Sequence, residues 1–349
     1  MNQSWGRWPE FVETEAELDA LLSQPSPALV ESLATLKGDL VILGVAGKMG
    51  PSLALLARRA LDTAGNRARV IGVSRFSSAA VRAELEAAGV QTIACDLLER
   101  DSVERLPDAA QVIYMAGRKF GSTGSEEQTW AMNTYAPALV AERYRSARIV
   151  AFSTGNVYDL SPIAQGGATE SSPTRPIGEY AQSCLGRERI LQYFSRRNET
   201  PMLILRLNYA AELRYGILLD VAQKVAAGQP VDLTMGNVNV IWQGDANSIA
   251  LRCLALASCP PEVLNVTGPE TVSVRALAQR FGELLDTEPL LEGQEAPTAL
   301  LSNAARAHAV LGYPGVPLNT ILRWVAHWVA IGGPTLDKPT HYEQRDGKF

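Results

Sequence analysis

Histidine is almost missing from this chain: three occur in 349 residues, and all three lie beyond position 300. His-based metal centres and His-activated nucleophiles are therefore not expected where most of the regular pattern lies. The four cysteines, Cys95, Cys184, Cys253 and Cys259, contain no Cys-x-x-Cys pair and no metal-ligand spacing, so no metal is expected. Positive charge is not in excess. The net charge is −5, and no stripe of basic and aromatic residues marks a nucleic-acid partner or an anionic membrane surface. The N-terminus has no basic region followed by an apolar stretch, and no run approaches membrane-spanning length, so a reducing cytoplasm is the expected compartment. Internal repeats and low-complexity segments are absent as well.

The most informative stretch runs from Asp39 to Leu61. An apolar run, Leu40 to Leu43, suits a buried parallel strand. Gly44, Gly47 and Gly50 follow at a spacing of three, and a helical apolar period then begins. Glycines let the backbone turn sharply and approach a pyrophosphate, and a helix start offers free N–H groups and a favourable dipole. The pattern is Gly-x-x-Gly-x-x-Gly rather than Gly-x-Gly-x-x-Gly, and a tight strand-to-helix turn is the plainer alternative. Lys48 and Met49 lie inside this loop, Lys48 as a phosphate contact or a solvated lysine.

Before it, residues 1–38 read as an N-terminal helical extension, a surface wrapper or oligomer contact, with helical spacing over Thr14–Leu22 and Ala28–Leu36. Thr14-Glu-Ala-Glu17 fits a capping box. After the loop, strands are expected at Ala68–Val73, Val90–Cys95, Gln111–Ala116, Arg148–Phe152 and Met202–Leu207. Helices are expected at Ser78–Ala88, Ser125–Arg145 and Glu179–Arg197. This alternation predicts an α/β fold, a Rossmann-like doubly wound parallel sheet that binds ligand at the carboxyl ends of its strands. Residues 39–209 form the expected dinucleotide-binding domain, with returning segments from 238–267. Residues 210–349 form a smaller substrate-side α/β lobe and C-terminal helices, including short β pieces at Val238–Trp242 and Val263–Val266 and helices at Asp245–Leu256 and Val274–Leu285.

The second strand ends Ser74-Arg75 where a ribose-binding acid is expected. An arginine there accommodates a 2′-phosphate, which favours NADP over NAD; the alternative is a solvated loop charge. Asp96-Leu97 follows the third strand, Ala116-Gly117-Arg118-Lys119 the fourth, and Ser153-Thr154-Gly155-Asn156-Val157-Tyr158 the fifth; Tyr180 opens the next long helix.

In that order, these pieces resemble the extended short-chain dehydrogenase/reductase family, the NAD-dependent epimerase/dehydratase group that includes UDP-galactose 4-epimerase. The resemblance spans about Leu40 to Leu285 and includes Asn133 in Trp130-Ala-Met-Asn133-Thr and the segment Asn265 to Ser273. It implies Thr154 and Tyr180 as catalytic residues, Lys119 reaching the cofactor phosphates, and Asn133 and Tyr180 beside the cofactor. It also implies a homodimer joined through the helices that carry Asn133 and Tyr180.

Two departures limit the resemblance. The family's Tyr-x-x-x-Lys reads Tyr180-Ala-Gln-Ser-Cys184, so the residue one turn after the phenol brings no positive charge. Cys184, with no histidine nearby, reads as a packed thiol rather than a nucleophile. Gly155-Asn156 stands where sugar-nucleotide dehydratases have Asp-Glu, which argues against elimination of water. The expected function is an NAD(P)-dependent epimerase or dehydrogenase acting on a sugar, nucleotide sugar or related polyol. The alternative is a dinucleotide-binding protein that has lost catalysis with the lysine.

Overall fold

Short apolar runs that are not long enough to stand alone become a single parallel sheet in the computed structural model, which describes residues 6–119, 121 and 124–347. Residues 1–5 of the expected extension and 348–349 of the C-terminal portion lie outside them. The strands are β1 (Leu40–Leu43), β2 (Val70–Ser74), β3 (Gln91–Ala94), β4 (Gln111–Tyr114), β5 (Arg148–Thr154), β6 (Met202–Leu207) and β7 (Glu262–Val266). Their order across the sheet is β7-β6-β5-β4-β1-β2-β3, every pair parallel. The order in which strands are added reverses between β1 and β4, the switch point at whose carboxyl ends such sheets bind ligand.

Both faces of the sheet are covered, which is why its central strands read as unbroken apolar runs rather than alternating ones. On one face Leu40, Ile42, Ile113 and Val150 pack against α2 (Pro27–Ala34), α3 (Gly50–Thr63) and a later helix, Gln243–Arg252. On the other, Val41, Leu43, Val112 and Ile149 meet two further helices, Ala136–Arg143 and Gly178–Asn198.

The N-terminal segment is not an appendage. In α1 (Glu15–Leu22), Thr14 caps the helix by accepting from the Glu17 N–H at 3.2 Å, and the Glu17 carboxylate accepts from the Glu13 N–H at 2.8 Å. Leu18, Leu22 and Leu29 are fully buried. Leu18 and Leu22 sit in a separate core with Trp242, Phe281, Trp324 and Trp328, so α1 helps to build that core. The reading of a surface wrapper is corrected on that ground.

Helices α4 and α5 are Ala79–Ala87 and Arg100–Glu104, and the helix expected over Ser125–Arg145 is three pieces: α6 (Glu126–Trp130), a π-helical turn (Ala131–Tyr135) and α7 (Ala136–Arg143). Pro137 causes part of this. It has no N–H to return to the Asn133 carbonyl, which accepts instead from Arg187 Nε at 3.3 Å. The next helix, α8, is Gly178–Asn198. The expected β piece at Val238–Trp242 is split: Asn237–Val238 pairs with Val272–Ser273, and Ile241–Trp242 with Ala210–Ala211.

The last described residues cross this lobe towards α8. Thr340 N donates to Asp220 at 2.8 Å, the Tyr342 hydroxyl to the Asp232 carbonyl at 3.1 Å, and Arg345 to the Thr298 carbonyl at 2.8 Å. Gly347 then lies against Gly178, where a Cβ would collide with its carbonyl oxygen. Among the described residues, no helix is long and apolar enough to cross a membrane.

If α1 is core, Leu18→Ala should cost about 2–5 kcal/mol through lost burial and an unfilled cavity. Urea denaturation reads the difference. A change of about 0.5 kcal/mol or less is what a surface wrapper would give.

Candidate active site

The glycine loop is shaped by close approaches. Gly44 has a φ of +92°, and a Cβ there would lie 2.7 Å from the backbone of Ala116 at the end of β4. At Gly50 a Cβ would strike the Val45 carbonyl, so only glycine lets α3 start this near to β1. Gly47 differs: the nearest atom to a Cβ would be the Gly44 oxygen at 3.2 Å, and the residue is otherwise exposed. Its open face lies beside a groove of about 230 Å³ lined by Gly44, Gly47, Ser74, Arg75, Asp96 and Gly117. Bare backbone at a helix N-terminus on one side, and polar side chains from the ends of β2 and β3 on the other, fit a dinucleotide phosphate and ribose.

Around that groove, Asp96 accepts from Leu98 N at 3.0 Å and lies 3.9 Å from Arg75. The arginine side chain is 71% exposed, so this pair holds it only weakly. Leu97, Met49 and Ala116 are buried apolar walls. Lys48 does not lean over the phosphate cradle. Its Nζ stands 3.4 Å from the centre of the Tyr215 ring and 3.4 Å from the Ala210 carbonyl, where burial lowers its pKa to about 7. Lys119 is half-buried at the end of β4, and burial lowers its pKa to about 8.

Thr154 ends β5, where its hydroxyl bonds the Asn156 N–H at 3.2 Å and the Asn156 side chain at 3.3 Å. Tyr180, in the first turn of α8, is in hydrogen-bonding contact with both Thr154 and Cys184. Burial pushes its phenol up, Cys184 adds to the rise, and Arg187 and the Thr154 hydroxyl pull it back. Cys184 is 1% exposed; burial raises its thiol too, against the pull of Arg187. Burial thus favours the neutral form of both the phenol and the thiol.

Asn133, in the π-helical turn, is fully buried and fully used. It donates to the Arg118 carbonyl at 2.9 Å and to Ser183 Oγ at 3.0 Å, and its Oδ1 accepts from Arg118 N at 2.9 Å and Arg187 Nη2 at 2.7 Å. This locks the strand end that carries Gly117 to the start of α8.

Sequence reasoning passed over three charged residues beneath the site. Glu188 is buried and receives two bonds from Arg206, at 2.9 and 2.6 Å, and one from Ser153 Oγ at 2.6 Å. Arg206 also donates to the Tyr158 hydroxyl at 2.7 Å, and that hydroxyl donates to Asn265 at 2.8 Å. Arg187, 6% exposed, donates to the Phe152 carbonyl at 2.8 Å. One signal was available: Arg187 falls seven residues after Tyr180, on the same helix face.

Three comparisons follow from this geometry. The NAD dependent epimerase/dehydratase family matches residues 40–238, more than half of the chain. Among solved structures, the UDP-glucuronic acid 4-epimerase of Bacillus cereus in complex with UDP-glucuronic acid and NAD is 18% identical. It superposes with a TM-score of 0.69 over 84% of this chain and 99% of that one. The UDP-glucose 4-epimerase of Thermus thermophilus in complex with NAD is also 18% identical, with a TM-score of 0.66 over 83% and 98%. MoeE5 in complex with UDP-glucuronic acid and NAD is 20% identical, with a TM-score of 0.67 over 84% and 100%. At these identities the likeness speaks for the fold. No curated protein matches the sequence significantly.

Proposed function

We propose, for a chain that belongs to the NAD dependent epimerase/dehydratase family, that it is a nicotinamide dinucleotide-dependent enzyme acting on a sugar, nucleotide sugar or related polyol. The observation that carries this reading is the contact of Tyr180 with Thr154 at the carboxyl end of the same parallel sheet whose other strand ends border the glycine-loop groove. A bound nicotinamide supplies a hydride acceptor or donor. The chain's residues supply the rest. Gly44, Gly47 and Gly50 with the start of α3 hold the pyrophosphate; Asp96, Leu97, Ala116, Gly117 and Lys119 border it. Thr154 orients the reacting hydroxyl or carbonyl by a hydrogen bond, and Tyr180 moves the proton at that oxygen.

Cofactor preference falls to NADP in this reading. Ser74 leaves the ribose without a competing carboxylate, and the loosely paired Arg75 can turn onto a 2′-phosphate. Arg75→Ala should weaken NADP binding by about tenfold or more while leaving NAD nearly unchanged, since a charge-assisted hydrogen bond is worth about 1.5–3 kcal/mol. Calorimetry with each dinucleotide measures it, and equal native affinities for the two would contradict the preference. The same reading includes a homodimer through α6, α7 and α8, supported by exposed Trp130, Tyr135 and Tyr193 on those elements and the turn between them. Light scattering should give twice the monomer mass.

The competing reading, a binding protein without catalysis, draws on Cys184 in place of the family lysine. The two separate on Tyr180. Because its neutral form is favoured, proton removal by Tyr180 should accelerate as pH rises well above neutrality, whereas proton donation should already be complete at pH 7. Tyr180→Phe should abolish hydride transfer, followed at the nicotinamide absorbance, and leave dinucleotide affinity within about twofold. Full activity in that variant would place the proton-transfer residue elsewhere.

A further inference from the structure

The loss of lysine at position 184 leaves a question of charge: what favours the phenolate of Tyr180 inside a buried site? The groups that act on the phenol itself, or on its neighbours Cys184 and Arg187, come from three places. Helix α8 brings Cys184, Arg187 and Glu188. Strand β5 brings Thr154. Strand β4 and its end bring Tyr114 and Lys119. Thr154 is uncharged. The Cys184 thiol is held neutral, and burial pushes Tyr114 up to about 12, so neither contributes charge near neutrality. Lys119, with a pKa lowered to about 8, is mostly protonated at neutral pH but loses its charge across the alkaline range in which a phenol ionises. Glu188 is committed to Arg206 and Ser153.

Arg187 differs from all of these. A guanidinium does not lose its proton in a protein. Its three hydrogen bonds end on uncharged oxygens: Nε on the Asn133 carbonyl at 3.3 Å, Nη2 on Asn133 Oδ1 at 2.7 Å and Nη1 on the Phe152 carbonyl at 2.8 Å. Buried charges are ordinarily paired, and the cost of leaving one unpaired is high. Here the positive charge is solvated by neutral acceptors: among the described residues no carboxylate forms an ion pair with it, although Glu188, next to it on α8, acts on it from further away. It is also rigidly placed. A Cβ on Gly117 would lie 2.6 Å from Nη2, so the guanidinium sits directly beneath the exposed floor of the dinucleotide groove. Tyr180, Cys184 and Arg187 occupy positions i, i+4 and i+7, one face of α8.

We infer that Arg187 is the fixed cation of this site: acting across Cys184, it stabilises the phenolate of Tyr180, the task that residue 184 no longer performs. This rests on Tyr180 as the proton-transfer residue. Arg187 is a positioning residue in this sense, since it reaches the reacting atoms only through the phenol. The bonds to Asn133 and Phe152 hold its charge in place, which explains why a long cationic side chain is buried where a small apolar one would pack at less cost.

The test is a titration of the phenol itself, without dinucleotide or substrate. A ring-fluorinated tyrosine, more acidic than tyrosine, is placed at position 180 alone, and its ionisation is followed by fluorine NMR. Arg187→Gln keeps hydrogen-bond donors towards Asn133 and Phe152 but removes the charge, and should raise the phenol pKa by about one unit or more. Arg187→Lys, which keeps the charge, should stay within about half a unit of the native protein. A residue with only a bracing role would lower thermal stability in both variants and leave the titration where it was; that result overturns the inference. Should Arg187→Gln not fold, the double variant Cys184→Lys with Arg187→Gln returns a cation to the same helix face. Its phenol should be at least as acidic as the native one, and a folded double variant with a phenol weaker by a unit or more counts against the idea. Because no hydride transfer is read, an unaltered titration refutes the role of Arg187 alone, and absent dinucleotide binding refutes the proposed function alone.

Discussion

The carboxylate of Glu188 is the point on which the site depends. It is 0% exposed, receives two bonds from Arg206 and one from Ser153, and through Arg206 is joined to Tyr158 and Asn265. One buried charge thereby ties α8 to β5, β6 and β7. A buried ion pair adds little net stability against an apolar substitute, but removing one partner costs about 3–5 kcal/mol because the other is stranded. What the pair supplies is register. Helix α8 can present Tyr180 to Thr154 only if it neither slides nor rotates on the sheet, and an apolar contact of the same size would tolerate such movement.

A second constraint acts at the glycine loop. Gly44 and Gly50 are glycines because neighbouring backbone leaves no room for a Cβ, whereas at Gly47 a Cβ would meet only the Gly44 oxygen, at 3.2 Å. The first two let the sheet, loop and helix close up; the third leaves backbone approachable. The same spacing of three therefore encodes two different physical requirements, close packing within the protein and close approach from outside it.

Much of this was readable from the chain. The apolar runs at Leu40–Leu43 and Met202–Leu207 gave the sheet because strands covered on both faces have no alternation to obscure them. The capping box at Thr14 marked α1, but sequence could not say that Leu18 and Leu22 meet Trp242 and Trp324, since that contact joins opposite ends of the chain. Helix Ser125–Arg145 was read as continuous because its apolar period is continuous; the π-helical turn depends on Pro137 and on a hydrogen bond from Arg187, which is distant in sequence. At the site, Thr154 and Tyr180 were found by resemblance, and the missing lysine was plain. Arg187, Glu188 and Arg206 were passed over because arginine and glutamate on a helix usually face water. Only the packing shows that these are buried.

The contact between Gly347 and Gly178 bears on when the site comes into being. The first turn of α8 carries Tyr180, and its backing includes residues 337–347, which are synthesised well after α8 itself. A nascent chain can assemble the sheet from β1 to β6 and still lack that support. Closing so long a loop has an entropic cost that only the finished lobe can offset. In this architecture the first turn of α8 gains that backing only when residues 337–347 have crossed the lobe and met it.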